Sequence, residues 1–172
     1  MVHRDVKPDN LIRTNGGQVK VLDFGLAALT TELDEGLTDA NVVMGTPDFM
    51  APEQAEMPQS VDIRADVYSL GCTFFYLLTG KPPFEGGSLM YKMFRHTQAE
   101  PPTVQSVRPE VPAAIDAILA KMLAKKPEDR YGNLGEVIAA FERFLGVSSG
   151  GAFSPGEAHV EHLERSVAEY QS

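Results

Sequence analysis

Three short segments of this 172-residue chain concentrate groups that can do chemistry. The stretch His3-Arg4-Asp5-Val6-Lys7-Pro8-Asp9-Asn10 brings two carboxylates, an ammonium, a guanidinium, an imidazole and a carboxamide into eight positions. Thirteen residues after Asn10 stands Asp23-Phe24-Gly25, and Ala51-Pro52-Glu53 closes the region. A carboxylate can take up a proton, and carboxylate and carboxamide oxygens suit a hard divalent cation. Lys7 lies two residues from Asp5, so on an extended loop the two point to the same side.

The order H-R-D-x-K-P-x-N, then D-F-G, then A-P-E resembles the eukaryotic-type serine/threonine protein kinases. The resemblance covers about residues 1–145. It implies transfer of the ATP γ-phosphate to a protein Ser/Thr hydroxyl, with Mg2+. By resemblance Asp5 is the catalytic base and Lys7 neutralises the transferred phosphate, while Asn10 and Asp23 are the metal ligands. The same register puts the Asp9 backbone at the ribose, and Ile12 and Leu22 under the adenine. Lys7-Pro8, and Gly45-Thr46 ahead of Met50-Ala51-Pro52-Glu53, look like serine/threonine rather than tyrosine kinases, with Thr46 seating the acceptor near Asp5 and Lys7. Asp66-Val67-Tyr68-Ser69-Leu70-Gly71 and Leu77-Leu78-Thr79-Gly80-Lys81-Pro82-Pro83-Phe84 resemble the bacterial, Hanks-type branch.

Three structural and regulatory expectations follow from that resemblance. Asp66 supports the catalytic-loop backbone from a buried helix, where a lone charge needs partners. Glu53 forms an ion pair with Arg130 of Lys126-Pro127-Glu128-Asp129-Arg130. Arg4, just before the base, implies a switch by activation-loop phosphorylation, because a phosphate recruits arginine bidentately. Thr38 is the favoured site, with Thr30 and Thr31 behind it. The alternative is that the acids from Glu32 to Asp39 keep the loop solvated and no switch exists.

The elements that must position these residues read as mainly α, with a small β element at the catalytic and D-F-G segment and a long activation loop. A strand-like run covers Val19 to Leu22, and residues 26–50 show little periodicity. Loops of that length are usually functional. Residues Ala65 to Leu78 are apolar almost all round, predicting a helix buried on every side. Gly80-Lys81-Pro82-Pro83 stops it, and a short helix follows over Ser88 to Thr97. Pro101-Pro102 and Pro109 mark an extended connection. Ile115, Ile118, Leu119, Met122 and Leu123 recur at helical spacing, so residues 112–124 form an amphipathic helix. A further helix starts at Asn133, with Glu136 as capping partner and a core stripe of Leu134, Val137, Ile138, Phe141, Phe144 and Leu145. The organisation is thus a partial kinase domain over 1–145 and a Gly/Ser linker with a short amphipathic helix over 146–172. The stripe Val160, Leu163, Val167 and Tyr170 fits either a frayed tail helix or a docking helix, and His159 and His162 lie on its solvated face.

Lys plus Arg number 15 against 24 Asp plus Glu, a formal charge of −9. That sign argues against a nucleic-acid backbone or an anionic membrane as partner, without excluding a local phosphate pocket. One cysteine, Cys72, permits no internal disulfide and suits a reducing cytoplasm. No apolar run reaches the roughly 18–20 residues of a membrane span. A cytoplasmic location is the expectation, with membrane anchoring of a longer parent left open. No two glycines stand two positions apart, so these residues hold no G-x-G-x-x-G loop, and no V-A-I-K occurs. The expectation is therefore a C-terminal-lobe fragment without its N-terminal lobe, inactive alone. The alternative is a non-catalytic lobe that binds a substrate or partner kinase; a pseudokinase is disfavoured because Asp5, Asn10 and Asp23 are intact.

Overall fold

The structure, a computed structural model, describes residues 2–22 and 47–147. The D-F-G segment with Asp23, the threonines Thr30, Thr31, Thr38 and Thr46, and the 154–170 stripe lie outside the described residues. What is described is mainly helical with one two-stranded sheet.

The sheet follows directly from the catalytic segment. Pro8–Asn10 is a single 3₁₀ turn that hands over to β1 (Leu11–Arg13), which pairs antiparallel with β2 (Val19–Val21). Leu11 faces Val21, Ile12 faces Lys20 and Arg13 faces Val19. Gly17 closes the connecting turn at φ 83°. Glycine adopts that left-handed conformation freely. The Gly17 N–H donates to the Thr14 carbonyl at 2.9 Å. The pairing extends one step further, the Leu22 N–H donating to the Asn10 carbonyl at 2.8 Å.

Among the described residues, five helices carry the rest: α1 (Pro52–Glu56), α2 (Ile63–Thr79), α3 (Leu89–Gln98), α4 (Ala113–Met122) and α5 (Leu134–Leu145). α2 begins where the Asp62 side chain accepts from the Arg64 N–H at 2.9 Å. It ends at Gly80, whose φ of 78° turns the chain out of the helix. α5 opens on a reciprocal cap. Asn133 Oδ1 accepts the Glu136 N–H at 3.1 Å, and Glu136 Oε2 accepts the Gly132 N–H at 3.0 Å. Val67 and Phe75 of α2 meet Ile118, Leu119 and Met122 of α4 and Val137 and Ala140 of α5 in the main core. A second cluster joins Phe49, Ala51, Ala65, Tyr68, Cys72 and Leu123 behind the A-P-E segment.

Two burial expectations are corrected. α2 is buried from Ala65 to Phe75 apart from the half-buried Leu70 and Phe74, but its last turn opens to solvent: Leu77 is 59% exposed and Tyr76 36%. The α5 stripe is likewise only part core: Val137 is buried, but Ile138 is 46% and Leu145 62% exposed. The physical reason is shared. Apolar composition states a side chain's preference for burial, not the presence of a neighbour to provide it. Between these two helices lies an apolar groove of about 500 Å³, lined among others by Leu70, Phe74, Ile138, Phe141 and Leu145. No described helix is long and apolar enough to cross a membrane.

Candidate active site

The segment His3–Asn10 is held from beneath by α2. Asp66, buried, accepts the His3 N–H through Oδ2 at 2.7 Å and the Arg4 N–H through Oδ1 at 2.8 Å. Burial pushes its carboxyl above the usual range, and the two N–H groups oppose that rise. Arg4 has φ 67°, the one described non-glycine residue in the left-handed region. The His3 ring is buried too. Its Nε2 lies 2.9 Å from the Leu22 carbonyl and its Nδ1 accepts the Asp5 N–H at 3.3 Å. That pattern fits a neutral ring protonated on Nε2. The Thr73 hydroxyl of α2 donates chiefly to the Ser69 carbonyl at 2.8 Å and lies only in a long contact, 3.4 Å, with the Val6 carbonyl.

On this platform three side chains converge. Lys7 Nζ is 2.8 Å from Asp5 Oδ2. Asn10 Nδ2 donates to Asp5 Oδ2 at 3.1 Å and to the Asp5 carbonyl at 2.8 Å. Asn10 is buried, whereas Asp5 and Lys7 keep about a quarter and a fifth of their side chains open. One carboxylate thus faces solvent with an ammonium and a carboxamide fixed around it. Because its NH2 group is turned to Asp5, the Asn10 amide directs its oxygen away from that carboxylate, and a carboxamide oxygen is of a type that suits a hard cation. Ile12 lies opposite Lys20, and Leu22 stands two positions beyond Lys20 along the same paired segment, so alternation puts Ile12 and Leu22 on one face of the hairpin. Both are exposed, Ile12 to 47% and Leu22 to 38%. Asp9 is exposed beside them.

The A-P-E segment is anchored from the other side. Arg130 grips the Glu53 carboxylate with both terminal nitrogens, at 2.6 and 2.8 Å, and both residues are buried. Its donors also reach the carbonyls of Ala124, Arg64 and Lys125. α1 is therefore fixed to the core at its first turn. Ahead of it, the 3₁₀ turn Pro47–Phe49 is pinned to α3 by Asp48, 2.6 Å from Lys92.

The structure thus brings Asp5, Lys7 and Asn10 into contact, puts Arg4 and Asp66 directly behind them, and sets the Ile12–Leu22 face beside them. Two residues escaped the sequence reading. Lys92 sits on a helix face with nothing in its spacing to flag it. Gln54 bonds the Ala51 N–H through Oε1 at 3.0 Å and the Arg4 carbonyl through Nε2 at 2.8 Å. Its signal was half present. A glutamine three residues into a proline-led helix is a capping-box residue, but Ala51 supplies no side-chain oxygen to complete the box.

Comparisons with known proteins identify the family. The family profile described as "Protein kinase domain" matches residues 1–140. The chain is 46% identical over 152 residues to the serine/threonine-protein kinase Pkn1 of Myxococcus xanthus, covering 86% of this chain and 21% of that protein. It is 37% identical over 168 residues to the probable serine/threonine-protein kinase PknB of Corynebacterium glutamicum, covering 95% and 25%. Against the serine/threonine-protein kinase PknB of Mycobacterium tuberculosis it is 40% identical over 143 residues, covering 83% and 23%. The chain therefore spans between a fifth and a quarter of the length of these relatives.

Proposed function

This chain belongs to the protein kinase domain family, among its bacterial serine/threonine members, and on that premise we propose that it supplies the acceptor side of a phosphoryl-transfer site, the C-terminal lobe of the kinase fold. The observation that carries the reading is the convergence of Lys7 and Asn10 on the half-open Asp5 carboxylate. When bound, Mg-ATP supplies the phosphoryl group and its charge neutralisation. Asp5 accepts the proton of an incoming Ser or Thr hydroxyl as its oxygen bonds the γ-phosphorus and the bond to the ADP oxygen breaks. Lys7 offsets the negative charge that gathers on the transferred group, and holding it against Asp5 before substrate arrives removes a reorganisation step. Asn10 Oδ1, with the Asp23 carboxylate outside the described residues, would hold the cation. The exposed Ile12 and Leu22 face offers an apolar platform for the adenine, next to the Asp9 backbone at the ribose. Thr46 would seat the acceptor, and a phosphate on Thr38 would pair with Arg4.

Catalysis of this kind is mostly positioning plus electrostatics. These 172 residues contain no glycine-rich phosphate loop, so efficient transfer is proposed for the complete gene product rather than for them alone. The test is phosphate incorporation into a generic acceptor protein by that product under single-turnover conditions. Asp5→Asn should lower the rate by about 10²–10⁴-fold. Near-wild-type turnover of the variant overturns the base assignment. Acceptor binding with no incorporation by the wild type favours the non-catalytic docking reading instead.

A further inference from the structure

We propose that Gln54 is a positioning residue for the base: it fixes the Arg4–Asp5 peptide plane and couples the A-P-E helix to the Asp5 carboxylate. The proposal rests on the kinase reading for its effect on rate, but its structural half stands without it. Arg4 adopts φ 67°. Residues with a Cβ rarely take up that conformation unless their surroundings enforce it. Two grips enforce it here. Asp66 Oδ1 holds the Arg4 N–H at 2.8 Å, and Gln54 Nε2 holds the Arg4 carbonyl at 2.8 Å.

The Arg4 carbonyl and the Asp5 N–H belong to one planar unit. The N–H end is bound to His3 Nδ1 at 3.3 Å, against 2.8 Å at the carbonyl end. The carbonyl end therefore carries the tighter of the two restraints. An uncompensated change in the Arg4 backbone torsions, which this grip on the carbonyl opposes, would re-aim the chain at Asp5 and take its carboxylate off Lys7 and Asn10. Gln54 is itself held for this task. Its Oε1 is occupied by the Ala51 N–H at 3.0 Å, which leaves the NH2 group as the half that can reach Arg4. The preceding residue, Glu53, is locked to buried Arg130. The restraint therefore runs from the core through Arg130, Glu53 and Gln54 to the peptide before the base. Gln54 touches no reacting atom; it acts through Arg4.

Two variants of the complete gene product separate this role from simple helix capping. Gln54→Glu keeps an oxygen for the Ala51 N–H but offers no donor to the Arg4 carbonyl; Gln54→Leu loses both. In Gln54→Glu, kcat should fall about tenfold or more while KM for Mg-ATP stays within about twofold. The thermal midpoint should change little, by about 2 °C or less. Amide exchange at His3, Arg4 and Asp5 should accelerate about tenfold or more, whether or not the protein transfers phosphate. Gln54→Leu should show the same rate loss with an added fall in thermal midpoint. Unchanged exchange at those three amides in Gln54→Glu overturns the proposal, as does a rate loss found only in Gln54→Leu. If the wild type transfers no phosphate, the kinase reading fails, and the exchange result alone decides the role of Gln54.

Discussion

At the scale of single residues, Arg130 shows what a buried charge requires. Its side chain has no exposure, and its donors are taken up by the Glu53 carboxylate and the carbonyls of Ala124, Arg64 and Lys125. Its guanidinium also stacks on the Tyr68 ring at 4.8 Å. Removing one partner of such a pair leaves the other charge buried without compensation, which costs roughly 3–5 kcal/mol. Glu53→Ala should therefore lower unfolding free energy by about that amount in urea titration. The double variant Glu53→Ala, Arg130→Met should lose clearly less than the two single losses added together. Additive losses would mean the pair is not coupled. The resemblance carried by the motifs made Asp5, Lys7, Asn10, Glu53 and Arg130 legible as candidates, because each stands where a motif of the family marks a position. Gln54 was not legible, because its role depends on where the Arg4 carbonyl points, and a left-handed residue leaves no mark in the sequence when it is not glycine.

At the scale of elements, helical periodicity located α4 and α5 well, since a stripe at i, i+3 and i+4 is a local property. It could not say which part of a stripe finds a neighbour, and so overstated the burial of α5. Close approach between helices is visible once both are placed. A Cβ on Gly71 of α2 would lie 3.0 Å from Met122 Cβ and 3.1 Å from Leu123 Cδ2. Met122 Cβ is tied to the α4 backbone, so the helices themselves must separate. Overpacking of this kind costs about 1–3 kcal/mol, against about 1 kcal/mol gained from replacing a helical glycine by alanine. Gly71→Ala should be net destabilising in urea titration, and a stabilised variant would show that the helices part easily. α3 offers a test by pH. His96 is buried, with Nδ1 2.8 Å from the Tyr68 hydroxyl. Burial foremost, then the Lys125 ammonium, lowers its pKa from 6.5 to about 4, with Asp48 opposing. The folded protein keeps this ring neutral where the unfolded chain protonates it. Between pH 6.5 and about 4 the unfolded state binds more protons, so this contribution to stability declines as pH falls and levels off below the folded pKa. The loss reaches roughly 3 kcal/mol on the order-of-magnitude scale of about 1.36 kcal/mol per unit. His96→Gln should flatten the slope of stability against pH across that window; an unaltered slope would place the titration elsewhere.

At the scale of the whole molecule, a chain of formal charge −9 combines an acidic balance with an apolar groove between α2 and α5. The composition made the acidic balance readable, but the groove depends on how two distant helices are placed, which no local pattern encodes. Ile138 and Leu145 on its rim are 46% and 62% exposed, and Val147 at its end is 57% exposed. A contiguous apolar surface of this kind attracts association in water. Charging its rim should reduce that association without touching the core. Ile138→Lys in the 172-residue chain should lower binding of a hydrophobic dye and shift size-exclusion profiles towards the monomer. Because half the side chain already meets water, the unfolding free energy should change by no more than about 1 kcal/mol. The same substitution at Val137, 3% exposed in the main core, should instead unfold the chain or cost several times as much, so the pair of variants calibrates the result. A loss above about 2 kcal/mol for Ile138→Lys would mean that the groove is covered in solution, since the transfer of an already half-hydrated side chain cannot account for so large an effect.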